Sequence, residues 1–221
     1  MTVRPETDPD RSSALVAASA PPNRAEKAFA RREAIVAAAL QEFVARGFAA
    51  TRLEDVAKRA GVAKGTIYLH FTDKEALFQE LIRSALVPMT ARLTTPPTPG
   101  ASARAMLEQF AEAFIHDVLE TKRGDILRLI MAEGPRFPSL AEFHYREVVQ
   151  RGLAGMRQLI DYGIARGEIK NTELAQFPQI VIAPAMLAVV WQGLFSRISP
   201  LDARAMLKIH IDLIFGERRA T

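Results

Sequence analysis

The chain has 221 residues, 49% of them hydrophobic, so it can bury a core as one large domain or as a small domain joined to a larger one. The absence of cysteine excludes disulfides, thiolate metal sites and cysteine nucleophiles. No apolar run is long enough to span a bilayer and the N-terminus lacks the apolar core of a secretory signal, so we predict a soluble, cytoplasmic protein.

The formal net charge of +4 is concentrated in one segment. Residues 24–94 hold twelve basic and eight acidic side chains, and the rest of the chain sums to zero. A basic excess confined to a small segment suggests a polyanionic partner, although charge alone is more typical of a solvated helix face.

The N-terminal residues predict a tail followed by a helix. Residues 1–23 are rich in Pro, Ser, Ala and Arg without apolar periodicity, which is typical of a disordered tail. From Arg24 to Arg46, the residues Ile35, Ala39, Leu40 and Phe43 follow the 3.6-residue period. Gly47 then stands where a helix-ending glycine is expected.

Two short helices and a long one follow, at about 52–60, 64–70 and 73–94. Thr51 and Glu54 have the spacing of a capping box, which predicts that the Thr51 side chain caps the first of them. Asp73 can cap the long helix, and Thr72 with Glu75 is the alternative.

Residues 95–100 contain three prolines and a glycine and predict a loop. Beyond it, we predict helices at about 101–120, 124–134, 138–167, 172–196 and 200–216. No strand-like alternation is present, so the fold class is all-α with about nine helices. We divide the chain into a disordered tail (1–23), a small helical domain (24–72), a linking helix (73–94) and a larger helical domain (95–221).

The two short helices have the pattern of a helix-turn-helix, in which the second helix enters the major groove. Lys64 and Gly65 open that helix, where free backbone N–H groups can meet a phosphate. Thr66, Tyr68 and His70 present hydrogen-bonding groups of the kind that combine backbone positioning with base readout.

From Thr51 to Leu77, the sequence closely resembles the TetR family of transcriptional regulators. The residues that carry the resemblance are T-x-x-x-x-V-A-x-x-A-G-V-A-K-G-T-I-Y-x-H-F-x-D-K-E-A-L. The resemblance implies a three-helix DNA-binding domain, a larger helical effector-binding domain and a homodimer. The sequence departs from the family pattern at Ala63, where the family more often has a capping Ser or Thr. By this resemblance the DNA contacts fall on Thr51, Arg52, Lys64, Gly65, Thr66, Tyr68, His70 and Lys74.

Large apolar side chains in the second domain are candidates for an effector pocket, because such pockets are mostly apolar with a few polar anchors. The predicted lining residues are Phe110, Phe114, Met131, Phe143, Met156, Trp191 and Phe195. His116, His144, Tyr162 and Gln192 are the polar candidates. Each apolar residue, taken alone, is more typical of a core, and only the group indicates a pocket for an apolar or aromatic molecule.

The last two predicted helices are apolar on every side, and such helices must be buried on every side. Near the C-terminus, one side is free to face a second copy of the chain. The predicted dimer contacts are Val190, Leu194, Leu207, Ile211 and Ile214. Two internal helices of a monomer would show the same pattern.

The resemblance to the TetR family, together with these patterns, implies a ligand-responsive repressor that binds palindromic operator DNA as a homodimer and releases it on binding a small apolar or aromatic effector. The alternative is an architectural or partner-regulated DNA-binding factor without a ligand. No catalytic, dinucleotide-binding or metal-binding motif is present, so we predict neither an enzyme nor a metal site or cofactor. The expected partners are double-stranded DNA, a small molecule and a second copy of the chain, but no membrane.

Overall fold

The computed structural model describes residues 23–94 and 100–216. Apart from Asn23, the tail predicted for residues 1–23 lies outside the described residues, as do residues 95–99 of the predicted loop. The described residues form nine helices when consecutive α- and π-helical segments are joined, and they contain no strand. The all-α prediction is therefore confirmed.

The nine helices begin with α1 (Arg24–Ala50), α2 (Leu53–Arg59), α3 (Lys64–His70) and α4 (Lys74–Thr94). Helix α5 (Ala103–Phe114) continues into a π-helical turn, Ile115–Leu119, and α6 spans Arg123–Glu133. Helix α7 comprises Pro138–His144, a π-helical turn Tyr145–Val149, and Gln150–Ala165. Helices α8 (Gln179–Leu194) and α9 (Ala203–Phe215) complete the fold. None of these helices is both long enough and apolar enough to cross a membrane.

Helix α1 begins with a capping box in which the Asn23 side chain accepts the Glu26 N–H at 2.9 Å and the Glu26 carboxylate accepts the Asn23 N–H at 2.8 Å. Gly47, where we expected the helix to end, has a φ of 75°. The backbone bends there and resumes a helical path to Ala50, so Gly47 divides α1 rather than ending it.

The predicted capping box at the start of α2 is wrong. Arg52 is the N-cap residue, with no side-chain cap. The Thr51 hydroxyl donates instead to the carbonyl oxygens of Gly47 at 2.8 Å and Glu42 at 3.2 Å. It thereby ties the residue before α2 to carbonyl groups on α1.

At α4, the Asp73 carboxylate accepts the Ala76 N–H at 2.7 Å, which confirms Asp73 as the cap. The single helix predicted for 172–196 is instead a short 3₁₀ turn, Thr172–Gln176, followed by α8. Phe177, between them, has a φ of −129° and a ψ of 65°. A residue before proline is displaced from the α region, and Pro178 therefore separates the two segments.

One large core joins the N-terminal helices to the rest of the chain. The rings of Phe43 and Phe48 both meet the ring of Phe78 in α4, at 5.2 and 5.3 Å between centroids. The Phe48 ring also lies 4.8 Å from that of Phe137, just before α7. The helix-turn-helix is therefore packed against the second domain through aromatic contacts.

A second core cluster lies farther from the helix-turn-helix, between α4, α5, α7, α8 and α9. Helices α4 and α7 approach so closely that a Cβ added at Gly155 would lie 2.5 Å from the carbonyl oxygen of Leu93. Glycine is thus required at position 155 for this packing.

Candidate DNA-binding surface and effector cavity

Helices α2 and α3 are joined by a tight turn at Ala60–Ala63. Val62 donates its N–H to the Ala57 carbonyl at 3.0 Å, and Gly61 has a φ of 67° that suits glycine. Val56 and Ile67, one from each helix, are fully buried and hold the pair together. This local structure leaves the opposite side of α3 facing outward.

The outward side of α3 carries the predicted recognition residues. Lys64 and Gly65 are exposed, and nothing lies within 4 Å of a Cβ added at Gly65, so a phosphate backbone can approach closely. Tyr68 is 48% exposed, while Thr66 and His70 are half-buried. Leu69, which sequence reasoning missed, is 84% exposed.

Lys64 forms an exposed ion pair with Glu54 of α2, with 2.7 Å between Nζ and Oε1. The hydrogen-bonded Glu54 carboxylate holds the pKa of Lys64 above its usual value, and the ammonium lowers the pKa of Glu54. A phosphate that binds Lys64 must compete with this carboxylate.

The other three predicted contacts lie around the edge of the helix-turn-helix. Arg52 is exposed. The Lys74 ammonium donates to the Ala49 carbonyl at 2.9 Å and lies 4.6 Å from the Phe48 ring centroid, and its partial burial lowers the pKa of Lys74. Thr51 is only 2% exposed. Thr51 and Lys74 thus also stabilise the junction between α1 and the following helices.

A cavity of about 390 Å³ lies between α4, α5, α6, α7 and α8. Helix α4 contributes Leu86, Met89, Thr90 and Leu93, whose i, i+3, i+4, i+7 spacing makes one helical stripe that the sequence could have revealed. The opposite walls include Phe110, Phe114, Leu127, His144, Val148, Val149, Leu153, Gln179, Ile182 and Met186. None of the described residues that line this cavity has a charged side chain.

Of the seven predicted apolar lining residues, the structure places Phe110 and Phe114 in the cavity wall. Met156 is fully buried in the second core cluster, and Phe143 is buried next to Arg83. Met131 and Phe195 are 42% and 41% exposed.

Trp191 lines a different cavity and donates from its indole nitrogen to the Ser199 carbonyl at 2.7 Å. Among the polar candidates, only His144 lies in the apolar cavity wall. Tyr162 donates to the Ala101 carbonyl at 2.8 Å, Gln192 donates to the Leu119 carbonyl at 2.8 Å, and His116 pairs with Asp117.

The polar groups of the cavity wall are few and uncharged. The Thr90 hydroxyl donates to the Val87 carbonyl of its own helix at 2.8 Å. The Nδ1 atom of His144 is sealed from solvent and has no hydrogen-bond partner among the described residues. Burial lowers the pKa of His144 to about 4, so this imidazole is neutral at physiological pH.

An apolar stripe runs along the outer side of α8 and α9. Ile180, Leu187 and Leu194 follow one another at seven-residue intervals on α8 and are 51%, 48% and 65% exposed. On α9, Ile209 and Leu213 are 55% and 74% exposed.

Among the five predicted dimer residues, Leu194 lies on this outer apolar stripe, whereas Val190 and Ile214 are half-buried. Leu207 and Ile211 are 5% and 4% exposed and pack into the core of their own chain.

The comparisons with known proteins agree with this architecture. The family described as "Bacterial regulatory proteins, tetR family" matches residues 35–81, and "Tetracyclin repressor-like, C-terminal domain" matches residues 96–208, slightly more than half of the chain. The regulator SrpR of Pseudomonas putida is 24% identical over 75% of this chain and 76% of its own length. The repressor KstR2 of Rhodococcus jostii is 28% identical over 64% of this chain and 76% of its own length.

Among solved structures, a complex of SmeT with triclosan has the same fold, with a TM-score of 0.71 and 18% identity over 85% of this chain and 90% of that one. The matched ranges cover the helix-turn-helix and all the cavity-lining residues outside α4. The protein belongs to the TetR family of helix-turn-helix transcriptional regulators.

Proposed function

We propose that the protein is a homodimeric repressor that binds pseudo-palindromic operator DNA and releases it when a small apolar molecule enters the cavity between α4 and α8. The observation that carries the proposal is the double role of α4. This helix begins at Lys74, beside the helix-turn-helix, and four of its later residues line the cavity.

The DNA contacts that we propose are Thr51, Arg52, Lys64, Gly65, Thr66, Tyr68, His70 and Lys74. The exposed N-terminus of α3 and the Lys64 ammonium are suited to phosphates. Tyr68 and Thr66 can read base edges, and Leu69 adds apolar surface that suits a thymine methyl group. The buried hydroxyl of Thr51 acts by fixing the position of α2 unless DNA binding exposes it.

The proposed dimer forms through the outer apolar stripe of α8 and α9. Five large aliphatic side chains that are about half exposed or more would be covered when two such faces meet, and apolar burial of this kind drives association. Two-fold symmetry then places two α3 helices on half-sites about 34–36 Å apart.

The proposed release mechanism is a population shift between two spacings of the recognition helices. A molecule in the cavity contacts Leu86, Met89, Thr90 and Leu93 and thereby favours one position of α4. The N-terminal end of α4 packs against Phe43 and Phe48, so a shift of α4 displaces the helix-turn-helix. A coupling free energy of about 1–3 kcal/mol is typical and suffices for a switch.

Two relatives support the proposal by analogy. KstR2 is described as a repressor, and SmeT has been solved with a small molecule, triclosan. A cavity of about 390 Å³ lies within the usual range for small-molecule sites.

The experiment that tests this proposal is selection of genomic fragments by the purified protein, followed by sequencing of the retained DNA. We expect enrichment of one short inverted repeat upstream of a few genes. Uniform, salt-sensitive retention without a motif would support the architectural alternative instead. No retention of DNA would contradict both.

A further inference from the structure

The chemistry of the cavity wall restricts which molecules it can hold. Among the described residues, no Lys, Arg, Asp or Glu side chain lines the wall, so neither an anion nor a cation would find a charged partner there. Moving an unpaired charge into such surroundings is strongly unfavourable. The wall therefore selects against carboxylates and amines.

Size gives a second restriction. The cavity volume of about 390 Å³ lies near the lower end of the usual range for small-molecule sites. This suits a compact aromatic or aliphatic molecule rather than a peptide or a nucleotide. The surrounding Phe110, Phe114, Leu127 and Met186 side chains provide apolar contacts for it.

His144 is the one titratable side chain that the described part of the chain contributes to this wall. Its Nδ1 atom is sealed from solvent and has no hydrogen-bond partner among the described residues, whereas Nε2 is not among the sealed atoms. Because His144 lines the cavity, Nε2 is the ring nitrogen left for a bound molecule. In protein interiors, a buried N–H group without a hydrogen-bond partner is rarer than a buried acceptor without one. The favoured neutral tautomer of His144 is therefore the one in which Nδ1 is unprotonated and Nε2 carries the proton. His144 thus offers the cavity a single neutral hydrogen-bond donor.

The other polar groups of the wall compete poorly for a ligand. The Thr90 hydroxyl already donates to Val87, and Gln179 is exposed. His144 consequently determines where the polar part of a ligand lies.

We propose that the effector is an uncharged apolar molecule with one oxygen acceptor, such as a ketone or ester carbonyl, that accepts a hydrogen bond from Nε2 of His144. This inference rests on the proposed function, because it assigns the chemical class of the molecule that fills the proposed effector cavity. The lowered pKa of His144 supports it, since an imidazole that stays neutral does not attract a carboxylate.

The test uses three probes with the same number of carbon atoms: hexanophenone, hexylbenzene and para-pentylbenzoate. Hexylbenzene replaces the carbonyl of hexanophenone with a methylene group, and para-pentylbenzoate carries a negative charge. Binding to the full-length protein is measured by calorimetry, and release of operator DNA is measured separately by fluorescence anisotropy.

We expect hexanophenone to bind about twofold to twelvefold more tightly than hexylbenzene, as one net hydrogen bond provides. His144→Leu should abolish this preference, and His144→Gln, which keeps an amide donor, should restore part of it. The rescue separates hydrogen bonding from a general effect on folding. We expect para-pentylbenzoate to bind more weakly than either neutral probe.

Equal binding of hexanophenone and hexylbenzene, tightest binding of para-pentylbenzoate, or no binding of any probe would each overturn the inference. If the expected order is found but no probe releases DNA, the ligand class is supported while the proposed release mechanism fails.

Discussion

The carboxylate of Glu133 accepts a hydrogen bond from the backbone N–H of Phe48, with 3.0 Å between Oε1 and N. Glu133 is the last residue of α6, a helix that also places Leu127 in the cavity wall. Phe48 lies directly after the bend that divides α1. This buried bond therefore joins a wall of the proposed effector cavity to the helix-turn-helix.

Replacing Glu133 tests the contribution of this bond. Glu133→Ala leaves the buried Phe48 N–H without an acceptor and should lower the free energy of unfolding by about 1–3 kcal/mol. Glu133→Gln keeps an acceptor oxygen and should lose less. Urea denaturation of both variants measures the difference, and equal stability of the two would show that the bond contributes little.

Gly47 should tolerate substitution less well than Gly61. Both have a positive φ, of 75° and 67°, so alanine is strained at either position. At Gly47, however, a Cβ would also lie 2.5 Å from Oε1 of Glu133, whereas nothing lies within 4 Å at Gly61. Thermal unfolding should show a larger loss for Gly47→Ala than for Gly61→Ala. The reverse order would contradict the described packing of α6 on α1.

The proposed recognition helix predicts specific losses of DNA affinity. Lys64→Ala should weaken operator binding and reduce the slope of log affinity against log salt by about one. Tyr68→Ala should weaken binding by about twofold to twelvefold if it loses one hydrogen bond. Both variants should remain dimeric. Lys170→Ala, an exposed lysine in the second domain, is the control and should bind operator like the unmodified protein.

If the outer apolar stripe forms the proposed dimer interface, a charged side chain placed on it should weaken dimerisation. Leu213 is 74% exposed, so Leu213→Glu should not disturb the folded chain, but it would place two carboxylates at a two-fold interface. We expect sedimentation to show mostly monomer. Val44→Glu is the matched control, because Val44 is also exposed, at 49%, but lies on α1. A dimeric Leu213→Glu variant would place the interface elsewhere.

Stability should depend on pH through His144. The unfolded chain takes up a proton near pH 6.5, whereas the buried imidazole resists protonation until about pH 4. The unfolded state therefore binds more protons within this window, and the folded state loses stability as the pH falls through it.

His144→Gln should show a shallower pH dependence of the free energy of unfolding. Burial also lowers the pKa of His210, but both proteins contain it, so the difference between them reports on His144. Identical pH profiles would show that His144 is not buried in the folded state.

Local signals in the sequence determined the helices and the family. The run from Thr51 to Leu77 has one dominant interpretation because its small, apolar and turn residues recur at fixed spacings that a helix-turn-helix requires. The Asp73 cap depends on neighbours three residues away and was predicted correctly for the same reason. The misplaced cap at Thr51 shows the limit, since its hydroxyl is used by carbonyl groups of the preceding helix.

Only the tertiary structure decided which side of each apolar helix faces the core, which side lines a cavity and which side is exposed. The sequence alone suggests the same lining role for Phe110, Met156 and Trp191. Phe110 lies in the apolar cavity wall, Met156 lies in the core, and Trp191 lines another cavity. Periodicity gives the faces of a helix but not its neighbours, and those neighbours come from distant parts of the chain. The same holds for α9, where Leu207 packs inward and Leu213 is exposed. The rotation of a helix is set by all of its packing partners together, and the sequence of the helix alone does not contain them.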